Sequence, residues 1–129
     1  MTATLRDERG SAVAEFALVG AILTLLTVSV LQLALALHVR NTVLDAASEG
    51  ARFAALADNT RTDGIERCHA LIAAALGDGY AQEVTATSGT WRGHPAITVT
   101  VRTTLPVIGL LGIGGALEVS GHAAVETLD

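Results

Sequence analysis

A single carboxylate, Glu15, stands at the entrance of the longest apolar run in the chain, which has no charged residue from Phe16 to Val39. A charged side chain costs about 2.5–3.5 kcal/mol at the centre of a bilayer and less near its surface, so such residues tend to be functional. Five residues before Glu15 is Gly10, which lets a protease bind an extended and unhindered backbone. A cut after Gly10 would give Ser11 a free ammonium group, which can pair with Glu15 of a neighbouring copy at low dielectric. This pair would set the axial register between subunits.

The run that follows Glu15 is long enough to cross a bilayer. Residues 16–37 read FALVGAILTLLTVSVLQLALAL, and about 20 apolar residues in a helix span the hydrocarbon core. A secretory signal peptide, the alternative, has an apolar region of only about 7–15 residues. The alanine-rich helical pattern also continues without a break to about Leu56, which favours one long helix with its first half in lipid.

Charge alone does not orient this run across a membrane. Arg6 and Arg9 precede the run, and Arg40 and Arg52 follow it, so the cations near its two ends are balanced. The orientation therefore depends on the motif that precedes the run.

The overall composition disfavours two other classes of protein. Among 129 residues, 50% are hydrophobic but only 3% are aromatic, which suggests a membrane segment and a small domain rather than an aromatic-cored soluble protein. The net charge is −5 and no basic cluster appears, so we expect no nucleic-acid partner.

Catalysis is also disfavoured by the spacing of the reactive side chains. The four histidines are scattered, and no HExxH or CxxC motif is present. Cys68 and His69 are adjacent, so on a helix their side chains point about 100° apart and cannot form a nucleophile–base pair. We therefore expect no enzyme activity, no metal site and no cofactor.

The residues around the proposed cut resemble a known processing signal. Residues 9–16 read RGSAVAEF: a glycine, four small residues, a glutamate and the start of the apolar run. This arrangement resembles the class III signal sequence of type IV prepilins and pseudopilins, which a membrane-embedded prepilin peptidase cuts after the glycine. The resemblance implies a processing site at Gly10 and Ser11, with Glu15 and Phe16 acting in subunit assembly.

Two further stretches narrow the resemblance to one family. Residues 15–19 read EFALV and residues 41–56 read NTVLDAASEGARFAAL. They resemble the TadE family of tight-adherence (Tad/Flp) pilus systems, in which EFALV and AA-EGAR-AA signatures are characteristic. The family often has a proline where this chain has Gly20-Ala21, which puts the kink and packing there in doubt. The resemblance implies a minor pilin or pseudopilin, whose partners are the prepilin peptidase, other pilins, the Tad assembly machinery and the lipid bilayer.

The periodicity beyond the membrane predicts a small α+β domain. The first helix should continue to about residue 57, and a second should cover about 63–76, with Asp63 and Glu66 as its capping box. Alternation with a period of two then predicts three antiparallel strands at about 82–88, 96–104 and 117–127.

Four features of this domain allow two interpretations each. Cys68 is either buried or free to pair with another chain, and burial is favoured because it lies on the apolar side of its helix. The small residues at 46, 47, 50, 51, 54 and 55 could pack under the domain's own sheet or against other subunits. Trp91, in a predicted surface loop from Gly89 to Pro95, could cover the sheet edge or contact a partner. The apolar, glycine-rich segment from Leu105 to Ala116 could fold over its own domain or lie in a subunit interface.

The predicted organisation is therefore a leader at 1–10, a transmembrane half-helix at 11–37 and an exported α+β domain at 38–129. The N-terminus would be cytoplasmic and the domain extracytoplasmic, with possible incorporation into a surface pilus. The alternative function is an uncleaved, single-pass, membrane-anchored binding or adhesion module of the cell envelope.

Overall fold

The computed structural model describes the backbone of residues 2–81, 83–105 and 116–126, and the side chains of residues 8–81, 83–105 and 117–126. Two helices precede a three-stranded antiparallel sheet, with a short 3₁₀ helix between them. The predicted α+β class, with a long N-terminal helix, a second helix and a small sheet, is confirmed. The elements are α1 (Thr2–Ala55), α2 (Arg61–Leu76), the 3₁₀ helix (Asp78–Tyr80), β1 (Glu83–Trp91), β2 (His94–Thr104) and β3 (Ala116–Ala124).

The chain divides into two compact units, Met1–Ala34 and Leu35–Asp129. In the first unit, the part of α1 that the structure describes in full exposes its large apolar side chains, including Phe16 at 82%. From Glu8 onward α1 is long and apolar enough to cross a membrane. Three hydroxyl groups in this stretch bond to carbonyl oxygens four residues earlier at 2.7–2.8 Å, which removes most of their cost in lipid: Thr24 to Gly20, Thr27 to Leu23 and Ser29 to Leu25.

In the second unit, the inner face of the sheet and α2 enclose a core with the C-terminal part of α1. The apolar alternation along β2 places Ile97, Val99 and Val101 on this inner face. Together with small residues of α1 and the apolar face of α2 they form one buried cluster. Its buried members are Val39, Val43, Ala46, Ala47, Ala51, Ala54, Cys68, Ile72, Ala81, Ile97, Val99, Val101 and Val119.

The small-residue stripe of α1 belongs to this core. Its members at positions 46, 47, 50, 51, 54 and 55 are all buried within their own unit. A Cβ at Gly50 would lie 2.7 Å from the carbonyl oxygen of Gly64 on α2, and a Cβ at Gly121 would overlap the backbone of Ala47 and Ser48. Glycine therefore lets α1 approach α2 on one side and β3 on the other. Of the two interpretations of the stripe, packing within the domain is the one found.

Helix α2 begins two residues earlier than the sequence suggested. Its cap is Thr60, whose hydroxyl accepts a hydrogen bond from the Asp63 backbone N–H at 3.2 Å. The Asp63 carboxylate in turn accepts the Thr60 backbone N–H at 2.7 Å, which lowers the pKa of Asp63. The prediction that Asp63 is the cap and Glu66 its partner was therefore wrong: the same motif occurs three residues earlier, with Asp63 in the partner's role.

The predicted loop from Gly89 to Pro95 was also wrong. Strand β1 continues through Trp91 and β2 starts at His94, so only Arg92 and Gly93 form the turn. Both have a positive φ, 51° and 82°, as tight two-residue hairpins require. Gly89 and Pro95 each lie in a strand instead, and Pro95 is next to the first residue of β2.

Some sequence-based predictions lie outside the described residues. They include Gln82 at the start of the first predicted strand, residue 127 at the end of the third, and most of the apolar segment between Leu105 and Ala116.

The interpretation of Cys68 as a buried residue is confirmed. Its side chain has no exposed surface and lies under α1 at Gly50. Burial penalises the thiolate and raises the pKa of the Cys68 thiol to about 11.

We therefore expect Cys68 to resist alkylation by iodoacetamide at pH 8 in the folded chain and to react readily in denaturant. Because the folded pKa is the raised one, this thiol contributes stability below its unfolded pKa, and the contribution is lost as the pH rises through about 11. Mass-spectrometric counting of alkylated chains measures the effect, and rapid labelling of the folded chain would contradict the described burial.

Candidate processing and assembly site

All four residues of the predicted processing and assembly site lie on α1 and face solvent. They are Gly10, Ser11, Glu15 and Phe16. The predicted cut therefore falls within a helix rather than in an extended segment. A peptidase that needs extended backbone has to unwind α1 locally, and glycine lowers the cost of doing so because it stabilises a helix less than other residues do.

Nothing in the described part of the chain requires a glycine at position 10. A Cβ added to Gly10 would meet no atom within 4 Å, and its backbone is helical. Gly50 and Gly121 differ from it in this respect, because a Cβ there would collide with a neighbouring element. Gly10 is thus a residue that weakens its helix by about 0.5–1 kcal/mol relative to alanine without a packing reason.

Ser11 and Glu15 are neighbours on the helix surface. They are four residues apart, and residues at this spacing lie on the same face of an α-helix. A chain that began at Ser11 would place the Glu15 carboxylate one turn from both the new ammonium group and the positive end of the helix dipole. Removal of the leader would therefore place positive charge near the Glu15 carboxylate, at the start of the apolar part of α1.

The outer face of the sheet carries rows of polar side chains, whose contacts across the strands are not predicted from the sequence. Arg102 on β2 donates to Glu118 on β3 at 2.8 Å and lies 3.9 Å from Glu83 on β1. These two carboxylates raise the pKa of Arg102. In the next row, Thr100 and Ser120 hydroxyls are 2.9 Å apart. The charged groups are exposed and the two hydroxyls are partly buried, so these pairs contribute modestly to stability and mainly fix the strand register.

Trp91 lies on this outer face near the hairpin turn. Its ring stacks on the imidazole of His122, with centroids 5.2 Å apart and planes 6° from parallel. The Arg92 guanidinium lies 4.3 Å from the centre of the Trp91 ring. Since His122 belongs to β3 and Trp91 to β1, the two side chains meet over the outer face of the sheet, so of the two interpretations of Trp91, covering the sheet edge is not the one found. Ala96, between the two strands on this face, is only 3% exposed.

A groove on the second unit runs between α1 and α2. It has a volume of about 470 Å³, with an apolar floor that includes Ala46, Leu71 and Ala75 and two carboxylates, Asp45 and Glu49. Thr42, Ser48 and Arg52 complete its lining. Among the residues that the structure describes, no three His, Cys, Asp or Glu side chains are grouped as metal ligands would be.

One comparison with known proteins identifies a family over part of the chain. Residues 10–52 match the family model described as TadE-like protein. The match begins at Gly10, contains Glu15 and Phe16, and ends within the EGAR stretch of α1. The resemblance drawn from the EFALV and EGAR stretches is therefore confirmed over this segment. Comparison with curated proteins and with solved structures gives no significant match.

The matched segment includes the apolar run of α1, which is long enough to cross a membrane. It lies entirely within α1 and includes neither α2 nor the sheet. It contains the exposed residues at the predicted cut and four of the six buried small residues of α1, those at positions 46, 47, 50 and 51.

Proposed function

We propose that this chain, TadE-like over residues 10–52, is a minor pilin or pseudopilin of a Tad/Flp-type pilus assembly system. Its leader faces the cytoplasm, the apolar part of α1 crosses the membrane, and the α+β domain lies outside. A prepilin peptidase removes residues 1–10, and the mature chain joins other pilins through its N-terminal helix. The chain is a substrate of an enzyme and has no catalytic role of its own.

The observation that carries this proposal is the combination of Gly10 with Glu15. Gly10 is helical, exposed and free of any packing constraint in the described structure, so a role in recognition by a peptidase explains its presence. Glu15 is an exposed carboxylate at the start of the apolar helix, where it needs a cationic partner once it is in lipid. An anchor that stays uncut needs neither residue.

The mechanism follows from the helix geometry. Removal of the leader places an ammonium group on Ser11, one turn from Glu15 on the same face of α1. In an array of parallel helices, an axial offset of about one turn brings the Ser11 ammonium of one copy level with Glu15 of the next. An ion pair in this low-dielectric setting is strong, whereas a lone charge there is penalised, so correct register is favoured over other offsets.

We therefore expect Glu15→Gln to leave cleavage intact and to reduce assembly by at least about tenfold, because breaking a buried ion pair costs about 3–5 kcal/mol. The matched control is Glu8→Gln, which makes the same change in the leader and is lost with it. Assembly is measured as the fraction of tagged chain in sheared surface filaments, and cleavage as the intact mass of the membrane-extracted chain. Equal assembly of the two variants would contradict the proposed role of Glu15.

The alternative function is an uncleaved, membrane-anchored binding module, and the exposed Trp91 near the hairpin turn is the observation that favours it. In that case the first ten residues would remain on the chain, and substitutions at Gly10 and Glu15 would have no effect on surface binding. The two functions are thus separated by the length of the chain in cells that contain the peptidase.

A further inference from the structure

The outer face of the sheet carries an exposed aromatic group near the β1–β2 turn, here named the Trp91 stack and consisting of Trp91, Arg92 and His122. The Trp91 side chain is 43% exposed although His122 and Arg92 both lie against its ring. Arg92 has a φ of 51°, a conformation that few residues other than glycine, asparagine and aspartate adopt. The two-residue turn requires this conformation, and it holds Arg92 beside the exposed Trp91 ring.

The Trp91 stack is preorganised for contact with a partner. Its neighbours already hold the ring, so little conformational entropy remains to be lost when a partner covers the exposed part. Tryptophan and arginine are also the residues that most often dominate the energy of protein interfaces. The cation beside the ring favours a partner surface with an apolar pocket and a negative rim.

The groove between α1 and α2, here named the α1–α2 groove, has these properties. Its volume of about 470 Å³ is within the range of about 300–1,000 Å³ of sites that enclose compact organic groups. Its apolar floor is continuous with the hydrophobic core through Ala46 and Leu71, and Asp45 and Glu49 stand in its lining. Arg52 also lines it, so the groove carries two negative charges and one positive charge.

We propose that the Trp91 stack of one copy inserts into the α1–α2 groove of a second copy. Trp91 covers the apolar floor, and the Arg92 guanidinium approaches the carboxylates of Asp45 and Glu49. The two surfaces are different patches of the same chain, so the contact is heterologous and leaves a free stack at one end and a free groove at the other. Such a contact repeats into an open array. This inference rests on the proposed function, because assembly into a filament supplies the second copy.

The test uses two full-length copies with different tags, co-expressed with a prepilin peptidase. One copy carries His94→Cys, at the exposed position that pairs with Trp91 on the same face of the sheet, and the other carries Ala75→Cys in the groove. The matched control replaces Ala75→Cys with Ala70→Cys, a second exposed alanine of α2 that does not line the groove. The native Cys68 is buried and stays in place.

After mild oxidation we expect disulfide-linked dimers with both tags from the Ala75→Cys pair, at about ten times the yield of the Ala70→Cys pair. Adding Trp91→Ala to the first copy should lower the yield by about tenfold. Arg92→Glu should lower it in the same way, and Glu49→Arg on the second copy should restore it. This charge exchange keeps the test valid even if Trp91→Ala disturbs folding.

Equal yields from the Ala75→Cys and Ala70→Cys pairs would overturn the inference, and so would dimers that link His94→Cys to itself. A yield unchanged by both Trp91→Ala and Arg92→Glu would also overturn it. The intact masses of both copies are measured in the same samples. Chains cut after Gly10 without the expected cross-link contradict this contact alone, whereas uncut chains contradict the proposed function.

Discussion

Gly121→Ala is expected to destabilise the second unit by about 3 kcal/mol or more, the upper end of the usual cost of overpacking. The new Cβ would overlap backbone atoms of Ala47 and Ser48. The overlap cannot be relieved by a rotamer change, because the atoms that it meets belong to the backbone of α1. Strand β3 would have to move away from α1, and this movement would also disturb the core packing of Val119 and Ala123. The expected result is partial or complete loss of the folded sheet.

The matched control for this prediction is Gly89→Ala. Gly89 is also a strand glycine, but a Cβ there would meet nothing within 4 Å, so we expect a change within about 0.5 kcal/mol. Denaturant unfolding of the full chain in detergent micelles measures both variants through the fluorescence of Trp91, the single tryptophan. Equal stability of the two variants would show that α1 and β3 are not in the close contact described.

Gly10→Leu is expected to abolish removal of the leader in cells that contain a prepilin peptidase. A Cβ at position 10 meets no atom within 4 Å, and the substitution favours the helix because leucine stabilises a helix by close to 1 kcal/mol more than glycine. The folded domain should therefore be unchanged. Cleavage is lost because the peptidase has to bind an extended, unhindered backbone before the scissile bond, and the leucine side chain hinders that binding.

The control for Gly10→Leu is Gly20→Leu. Gly20 also lies on α1 with open space around its Cβ position, but it is within the apolar run, ten residues past the predicted cut. We expect Gly20→Leu to be cut as the wild type is, as judged from intact mass. Cleavage of both variants would mean that position 10 is not read by the peptidase, and failure of both would indicate a general defect in membrane insertion.

The helices and the central strand could be predicted from local pattern alone. The uncharged run after Glu15 and the strict alternation of Ile97, Val99 and Val101 each depend on residues close in sequence. The start of α2 was misplaced because Asp63 and Glu66 have the spacing of a capping box, and only the structure shows that the Thr60 hydroxyl is the group that bonds. Two motifs with the same spacing compete there, and sequence does not rank them.

The outer face of the sheet could not be predicted because it depends on register between strands distant in sequence. Thr98 on β2 pairs with Thr87 of β1 on one side and with His122 of β3 on the other. This register places His122 within reach of the Trp91 ring. Nothing near Trp91 in sequence signals that partner. The extension of the hairpin to Trp91 was missed for a related reason, since Arg92 adopts a left-handed conformation that sequence rules assign to glycine or asparagine.

The candidate site was visible in the sequence because its chemistry is local. Gly10, Ser11 and Glu15 lie within six consecutive residues, and their spacing on a helix follows from helix geometry alone. The structure adds that Gly10 has no packing role, and it shows that the small residues of the EGAR stretch are used within the domain. Which residues of the domain meet other subunits depends on surfaces, such as the Trp91 stack, that only the fold assembles.

The most direct test of the pilin function is the intact mass of the wild-type chain, extracted from membranes of cells with and without a prepilin peptidase. We predict that residues 1–10 are lost only when the peptidase is present, which leaves Ser11 as the N-terminus with its cytoplasmic leader removed. A full-length chain in both samples would contradict the pilin function and leave the uncleaved, membrane-anchored binding module as the better explanation.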